Sequence, residues 1–219
     1  FLVQYEKIKK SFRLDKQNQR FLDFNFIKYN YLTKKITKHQ AIEKFSLLVD
    51  YPECINNNVF DFVDVICLFD ISAIESEFKD SDAMNLLLRI LYDKSLLYIG
   101  SESRHILPSI YRGVSQMLLL RKKYEESLKL SNEGIKYCLK FSDSQNLTGL
   151  YFAKSISNSK LGYKKESHIA AARAIGNALS MNDPRLLKYF TDELKNELNI
   201  DPFEFFSIYK ADLIKNESS

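Results

Sequence analysis

Apolar positions recur at helical spacing along almost the whole chain. Phe1, Tyr5, Ile8 and Phe12 form one stripe, and Phe21, Phe24, Ile27, Tyr31 and Leu32 form a second. Thr37 opens a short helix through Ala41, Ile42, Phe45, Leu48 and Val49, which Pro52 ends. The polar cluster Asn56 to Asn58 offers caps for the run Val59 to Ile74, which is apolar on nearly every side except at Asp61, Asp64 and Asp70. Ser81 or Asp82 starts the next helix, predicted to reach Tyr98 and to end at Gly100. Helices are then expected over Ser103 to Leu120, Lys123 to Phe141, Asn146 to Leu161 and Lys164 to Met181. Asp183 with Pro184, and Asp201 with Pro202, each pair an N-cap with a first-turn proline and open two more. No stretch alternates with period two, so no sheet is predicted.

The later helices carry an internal echo. Leu107, Tyr111, Ser115, Glu126, Ser127, Ile135 and Leu139 recur 40 residues on as Leu147, Tyr151, Ser155, Glu166, Ser167, Ile175 and Leu179. A fixed-period echo is the mark of one helix pair stacked on copies of itself, because a lone pair cannot bury its apolar face. In the second unit Tyr151 holds an early aromatic position, Ser155 a small one, Gly162 the inter-helix turn, and Ser167, Ala171 and Ala174 small positions of the second helix. Tyr111, Ser115, Tyr124, Ser127, Ser131 and Gly134 stand in matching roles in the first. Short side chains there let helix axes approach closely. This pattern resembles a degenerate tetratricopeptide repeat, without its usual tryptophan and terminal proline and with a longer period.

The expected fold is therefore all-α: a right-handed superhelix of degenerate tetratricopeptide-like helix pairs with a C-terminal capping helix. As one domain over 1–219 it would comprise basic N-terminal helices (1–50), a central helix pair (56–100), two echoing repeats (103–181) and capping helices (184–215).

A second resemblance spans most of the chain. The run Phe60-Asp-Phe-Val-Asp-Val-Ile-Cys-Leu-Phe69 resembles the aromatic and apolar helix that follows a short acidic loop in the C-terminal domain of Rgg/GadR/MutR regulators. Leu150-Tyr-Phe-Ala-Lys-Ser-Ile-Ser-Asn-Ser-Lys-Leu-Gly162, and the opening Asp183-Pro-Arg-Leu-Leu-Lys-Tyr-Phe190, are similar to that family's closing repeats. These are Gram-positive transcription factors of the wider peptide-pheromone-sensing group typified by PlcR and PrgX. The resemblance implies a cytoplasmic quorum-sensing regulator. Its concave face would take a short, mostly apolar signalling peptide in extended form, with side-chain amides and cations pairing the peptide backbone and terminal carboxylate. It also implies a homodimer and an N-terminal helix-turn-helix, whose motif does not occur in this sequence. The chain starts at Phe1 rather than Met, so it is expected to be a processed or excised portion of a longer regulator. A stand-alone helical-repeat adaptor for a protein partner is the alternative. An aspartyl-phosphatase-like member of the repeat superfamily is a third, for which the N-terminal segment is too short.

The first helix of each pair usually lines the concave face. His105, Ser109, Arg112 and Gln116 share one face of the first, opposite the packing stripe Leu107, Ile110, Val114, Met117 and Leu118. Arg112 and Gln116, one turn apart, are placed to grip a carboxylate and an adjacent amide. Phe152, Ile156 and Ser159 are the matching inward positions of the next first helix, with Asn158 and Lys154 as a polar pair if that helix is rotated. Each could instead be ordinary polar surface or packing between repeats. Asp61 and Asp64 could select a positive group or simply cap a helix. Phe203, Phe205, Phe206 and Tyr209 exceed what a cap needs and are expected at the dimer interface, unless the helix folds back in a monomer.

Net charge is +4, but residues 1 to 50 hold eleven Lys or Arg against five Asp or Glu, so the basic character is local. It lacks the aromatic interleaving of a nucleic-acid reader. Cys54, Cys67 and Cys138 are too scattered for a zinc set or a disulfide framework. His39, His105 and His168 lie in separate helices without ligand spacing, and no glycine-rich phosphate loop or nucleophile elbow occurs. No metal, cofactor or enzymatic activity is expected.

Overall fold

The computed structural model describes residue 5 and residues 15–75, 81–98, 106–199 and 201–209. The predicted positions Phe1, Ile8, Phe12, Gly100, Ser103 and His105 lie outside the described residues. The chain divides into two compact units, Phe1–Ser103 and Arg104–Ser219.

In the first unit, α1 (Lys16–Leu32) is capped by Asp15, and α2 (Lys38–Val49) starts with a reciprocal box in which Thr37 and Gln40 each bond the other's backbone N–H. α3 (Phe62–Glu75) is the central helix, as its apolar run predicts. Nine of its residues are buried, and it packs on α1, α2 and α4 (Asp82–Tyr92).

Its start is set by acids and not by the asparagine cluster. Asp61 Oδ1 accepts from the N–H groups of Val63 and Asp64, while Asp64 Oδ2 accepts from the Asp61 N–H. Arg20 of α1 reaches both carboxylates, at 2.8 Å from Asp61, and also donates twice to the Leu48 carbonyl of α2. Asp61 and Asp64 are therefore committed to capping and to one buried-edge cation. Burial nevertheless pushes the Asp64 carboxyl above its ordinary value, against the pull of its hydrogen bonds.

α4 begins at the expected Ser81 cap but stops at Tyr92. Asp93 accepts from Ser95 and turns the chain into a 3-10 turn, after which the Phe60 N–H bonds Leu96 and the Tyr98 N–H bonds Phe60. The resulting parallel bridge between Phe60 and Leu97 takes residues that helical spacing alone would have kept in α4.

The second unit is a stack of antiparallel helix pairs: α5 (Ile106–Leu120) with α6 (Tyr124–Phe141), α7 (Ser144–Lys160) with α8 (Lys164–Ser180), and α9 (Pro184–Leu198) followed by the short α10 (Glu204–Ile208). The echoing serines hold each pair together. Ser127 Oγ donates to the Ser115 carbonyl at 2.9 Å. Forty residues on, Ser155 and Ser167 donate to each other's carbonyls at 2.9 and 2.8 Å. All four serines are buried, so these bonds form at the closest crossing of the two helices. The turns also repeat: Lys122 and Gly162 both adopt positive φ, 60° and 86°, at equivalent positions. Gly162 suits that conformation, whereas Lys122 adopts it at some strain. α5 touches α7, and α7 touches α9, so the first helices of successive pairs lie along one side.

Two stability predictions follow from this packing. At Gly134 of α6 a β-carbon would fall 2.8 Å from Tyr111 Cβ and 2.7 Å from Leu150 Cδ2. Gly134→Ala is predicted to destabilise the second unit by about 1–2 kcal/mol, because overpacking against a backbone-anchored carbon outweighs the helix-propensity gain. A lower urea midpoint with an unchanged slope would show this, and an unchanged or raised midpoint would refute it.

Asp70 of α3 is paired with Lys28, whose Nζ lies 3.0 Å away, yet burial dominates and holds its carboxyl above the ordinary value of 3.8. A carboxyl whose folded value exceeds its unfolded one binds its proton more readily when folded. Ionisation then opposes folding, and the contribution to stability falls as pH rises from about 3.8 upward. Asp70→Asn is accordingly predicted to match or exceed the parent in stability at pH 7, with the difference shrinking toward pH 3. Urea titrations at the two pH values would test this.

Candidate functional site

A groove of about 340 Å³ opens along the side where first helices adjoin. α5 supplies Gln116, Leu119 and Leu120, with Tyr124 at the start of α6. α7 supplies Phe152, Ile156 and Lys160, and α9 supplies Tyr189, Glu193 and Glu197. α7 and α9 each contribute at i, i+4 and i+8, and α5 at i, i+3 and i+4, so the groove runs along the axes of α7 and α9. The Phe152 ring meets that of Phe190 at a tilt of 58°, with centroids 5.4 Å apart. Lys160 and Glu197 close one end in an ion pair of 2.9 Å, which raises the Lys160 ammonium value through that hydrogen bond and charge.

Arg112 stands one turn before Gln116, beyond the other end. Its side chain is seated in a notch of α7. A β-carbon at Gly149 would lie 2.6 Å from Arg112 Cδ, 2.9 Å from its Cγ and 3.5 Å from the Gln116 amide nitrogen. The missing β-carbon is what lets both polar side chains lie against α7. Arg112 Nε is buried and has no hydrogen-bond partner among the described residues. A buried donor left unsatisfied costs about 1–3 kcal/mol.

The structure brings Gln116, Phe152 and Ile156 together in one groove, with Arg112 beside it. Ser109, Ser159 and Asn158 do not line it. The Ser109 hydroxyl donates back to the Ile106 carbonyl of its own helix at 2.7 Å. Asn158 is 3% exposed and lies on the packed side of α7, with its amide nitrogen unpartnered among the described residues. Lys160, Tyr189, Glu193 and Glu197 were missed as groove residues. Their signal was the four-residue spacing of Tyr189, Glu193 and Glu197 on α9, a helix that sequence reading treats as a cap.

The aromatic C-terminal cluster requires a correction. Phe205 is fully buried within the chain, stacked on His168 of α8 with centroids 4.2 Å apart, and Tyr209 Oη lies 3.2 Å from His168 Nδ1. Phe206 lies against Gly176, 3.6 Å from where a β-carbon would stand. These three fold back on α8, so Phe205 offers no area to a second copy. Phe203 and Ile208 are the exposed apolar side chains of this segment. Burial, with the charge of Lys164, holds the His168 imidazole below its ordinary value, which keeps it neutral in the stack.

Among the described residues no group of His, Cys, Asp or Glu could hold a metal ion, and no helix is long and apolar enough to cross a membrane. All three cysteines are buried, and burial raises Cys54 to about 11 and Cys138 to about 12. None is poised as a nucleophile.

No protein-family model matches the sequence, and comparison with curated proteins finds no match. Among solved structures, Bacillus thuringiensis PlcR in its apo form is similar, with a TM-score of 0.66 at 16% identity over 90% of this chain and 73% of that one. The fold is PlcR-like. At that identity the likeness concerns architecture alone, an all-helical repeat fold.

Proposed function

We propose that this chain is the sensor portion of a peptide-responsive transcriptional regulator. It binds a short apolar signalling peptide in the groove between α5, α7 and α9, and it acts on a DNA-binding domain outside this sequence. The observation that carries the reading is the groove itself. Its volume, about 340 Å³, lies at the low end of the range for ligand pockets and suits a few side chains of an extended peptide better than a folded partner. Apolar walls from Leu119, Phe152, Ile156 and Tyr189 take side chains, while Gln116 and Arg112 offer donors to a backbone carbonyl and a carboxylate. The PlcR-like fold supports the same class. The finer assignment, to the Rgg/GadR/MutR regulators, rests on the resemblance of the runs 60–69 and 150–162. Homodimerisation is part of the proposal, through the exposed Phe203 and Ile208.

Titration of the chain with synthetic apolar peptides bearing free carboxylates, followed by calorimetry, tests the reading. Arg112→Ala is predicted to weaken binding about tenfold or more, the loss expected for a charge-assisted contact, with the helical fold retained by circular dichroism. Gly149→Ala should do the same without touching a contact atom, because its methyl evicts the Arg112 stem from the notch. If wild-type chain binds none of the peptides, the adaptor reading takes precedence. If it binds but both variants keep full affinity, the Arg112 assignment is wrong. Phe203→Glu is predicted to shift sedimentation from dimer to monomer while leaving peptide affinity intact, and a wild-type monomer would remove the dimer from the proposal.

A further inference from the structure

A titratable ring holds the last helix of the chain in place. His168, Ala172 and Gly176 stand at i, i+4 and i+8 on one face of α8, where α6 carries Leu128, Asn132 and Lys136 forty residues earlier. Replacing the two polar side chains by Ala172 and Gly176 leaves room for the rings of α10. Phe206 lies 3.6 Å from where a Gly176 β-carbon would stand, and Phe205 lies flat on His168, with an interplanar angle of 11° and centroids 4.2 Å apart. α10 has five residues, too few to hold a helix unaided, so its place depends on this contact with α8.

His168 is 7% exposed, and Tyr209 Oη stands 3.2 Å from its Nδ1. A neutral imidazole suits both partners, because it brings no charge into the stack and can accept the phenol proton at Nδ1. A doubly protonated ring is all donor. The phenol must then turn to offer its oxygen, and the new charge is buried one turn from Lys164 of the same helix. The face of Phe205 attracts a cation, but that gain falls short of the hydration lost. Burial first, and Lys164 second, hold the imidazole below its ordinary value of 6.5. Among the described residues no carboxylate offsets them: Glu204 of α10 is exposed, and neither α7 nor α9 brings a charge to bear on the ring.

We propose that His168 is a protonation latch for the C-terminal cap: neutral, it holds α10 against α8, and protonated, it lets α10 go. A histidine whose docked value lies below its free value binds its proton more readily with the cap off. Its contribution to docking is therefore complete above about 6.5 and is lost as the pH falls from there through the docked value. Phe203 and Ile208, which the dimer reading above assigns to the interface, ride on the same segment. On that reading release also weakens the dimer, but the latch stands without it.

The test uses the full chain. The His168 imidazole is titrated by NMR, its signal assigned by its loss in His168→Phe. Amide exchange of residues 203–209 is read by mass spectrometry at about pH 7.5 and about pH 5, corrected for the intrinsic pH dependence of exchange. Wild-type α10 is expected to lose protection at the lower pH, by up to the factor that separates the ring's docked and free ionisation constants. His168→Phe keeps a flat ring for Phe205 and leaves nothing to titrate, so α10 should stay equally protected at both pH values. Phe205→Ser loosens the cap whatever His168 does, and should move the His168 titration up toward the ordinary histidine value. Equal protection of wild-type α10 at the two pH values would overturn the latch, as would a pH-dependent loss that persists in folded His168→Phe. If His168→Phe does not fold, Phe205→Ser decides: a His168 titration unmoved by that change would show that docking and protonation are not linked, and would overturn the proposal on its own.

Discussion

The second unit depends on how closely its paired helices can approach. At Ser115 and Ser127, and again at Ser155 and Ser167, the side chains are short enough for the backbones to meet, and the hydroxyls of Ser127, Ser155 and Ser167 bond the partner helix's carbonyls. Gly134 lets α6 approach both its partner α5 and α7 of the next pair, with Tyr111 and Leu150 filling the space a β-carbon would take. Interiors this tightly packed tolerate little change in volume. Once each pair is locked, its first helix has one face left over, and stacking sets those faces side by side. The groove is the geometric residue of that packing. Its walls needed no separate device beyond the positive-φ turns at Lys122 and Gly162, which bring each chain segment back antiparallel.

Charge is used differently in the two units. In the first, Arg20 satisfies two carboxylates that are also capping a helix, and Lys28 partly offsets the half-buried Asp70. These groups are consumed by structure. In the second, Arg112 and Glu193 have no ion pair among the described residues, and they stand beside and in a groove whose walls combine apolar and polar groups from three helices. Charged groups retained without partners at a partly buried site cost stability, and proteins keep them where a ligand supplies the missing half.

Much of this was legible in the sequence, for reasons that particular residues make plain. The echo survived because the serines and the glycine turn answer to the same steric demand in each pair. The stripe of α5 was readable because its buried positions Leu107, Ile110, Val114 and Leu118 are apolar at helical spacing and set Gln116 apart, whereas α7 buries Thr148, Ser155, Ser157 and Asn158, so Phe152 and Ile156 were legible only as the positions 40 residues after Arg112 and Gln116. Errors came where the deciding contact was remote. α4 stops early because Leu97 pairs with Phe60, and α3 starts late because Asp61 and Asp64 cap each other in the presence of Arg20. Phe205 looked like surplus surface because its stacking partner, His168, is far away in the chain. α9 was undervalued because the third pair does not echo the first two, although it faces the same groove.

The packing also limits how a bound peptide could signal. A ligand shifts an equilibrium between two arrangements only by the difference in its affinity for them. Within one pair the serine contacts leave little slack, so the pair moves as a body. Contacts between successive first helices are made by Arg112 in the Gly149 notch, by the Phe152 and Phe190 rings, and by the exposed Lys160 to Glu197 pair. All three are contacts of side chains that can rearrange without unlocking a pair. An exposed ion pair of this kind contributes about 0–1 kcal/mol and resists displacement weakly. A peptide that spans the three helices therefore acts first on these side-chain contacts, while Gly134 of α6 against Leu150 of α7 keeps the first two pairs tightly packed on each other.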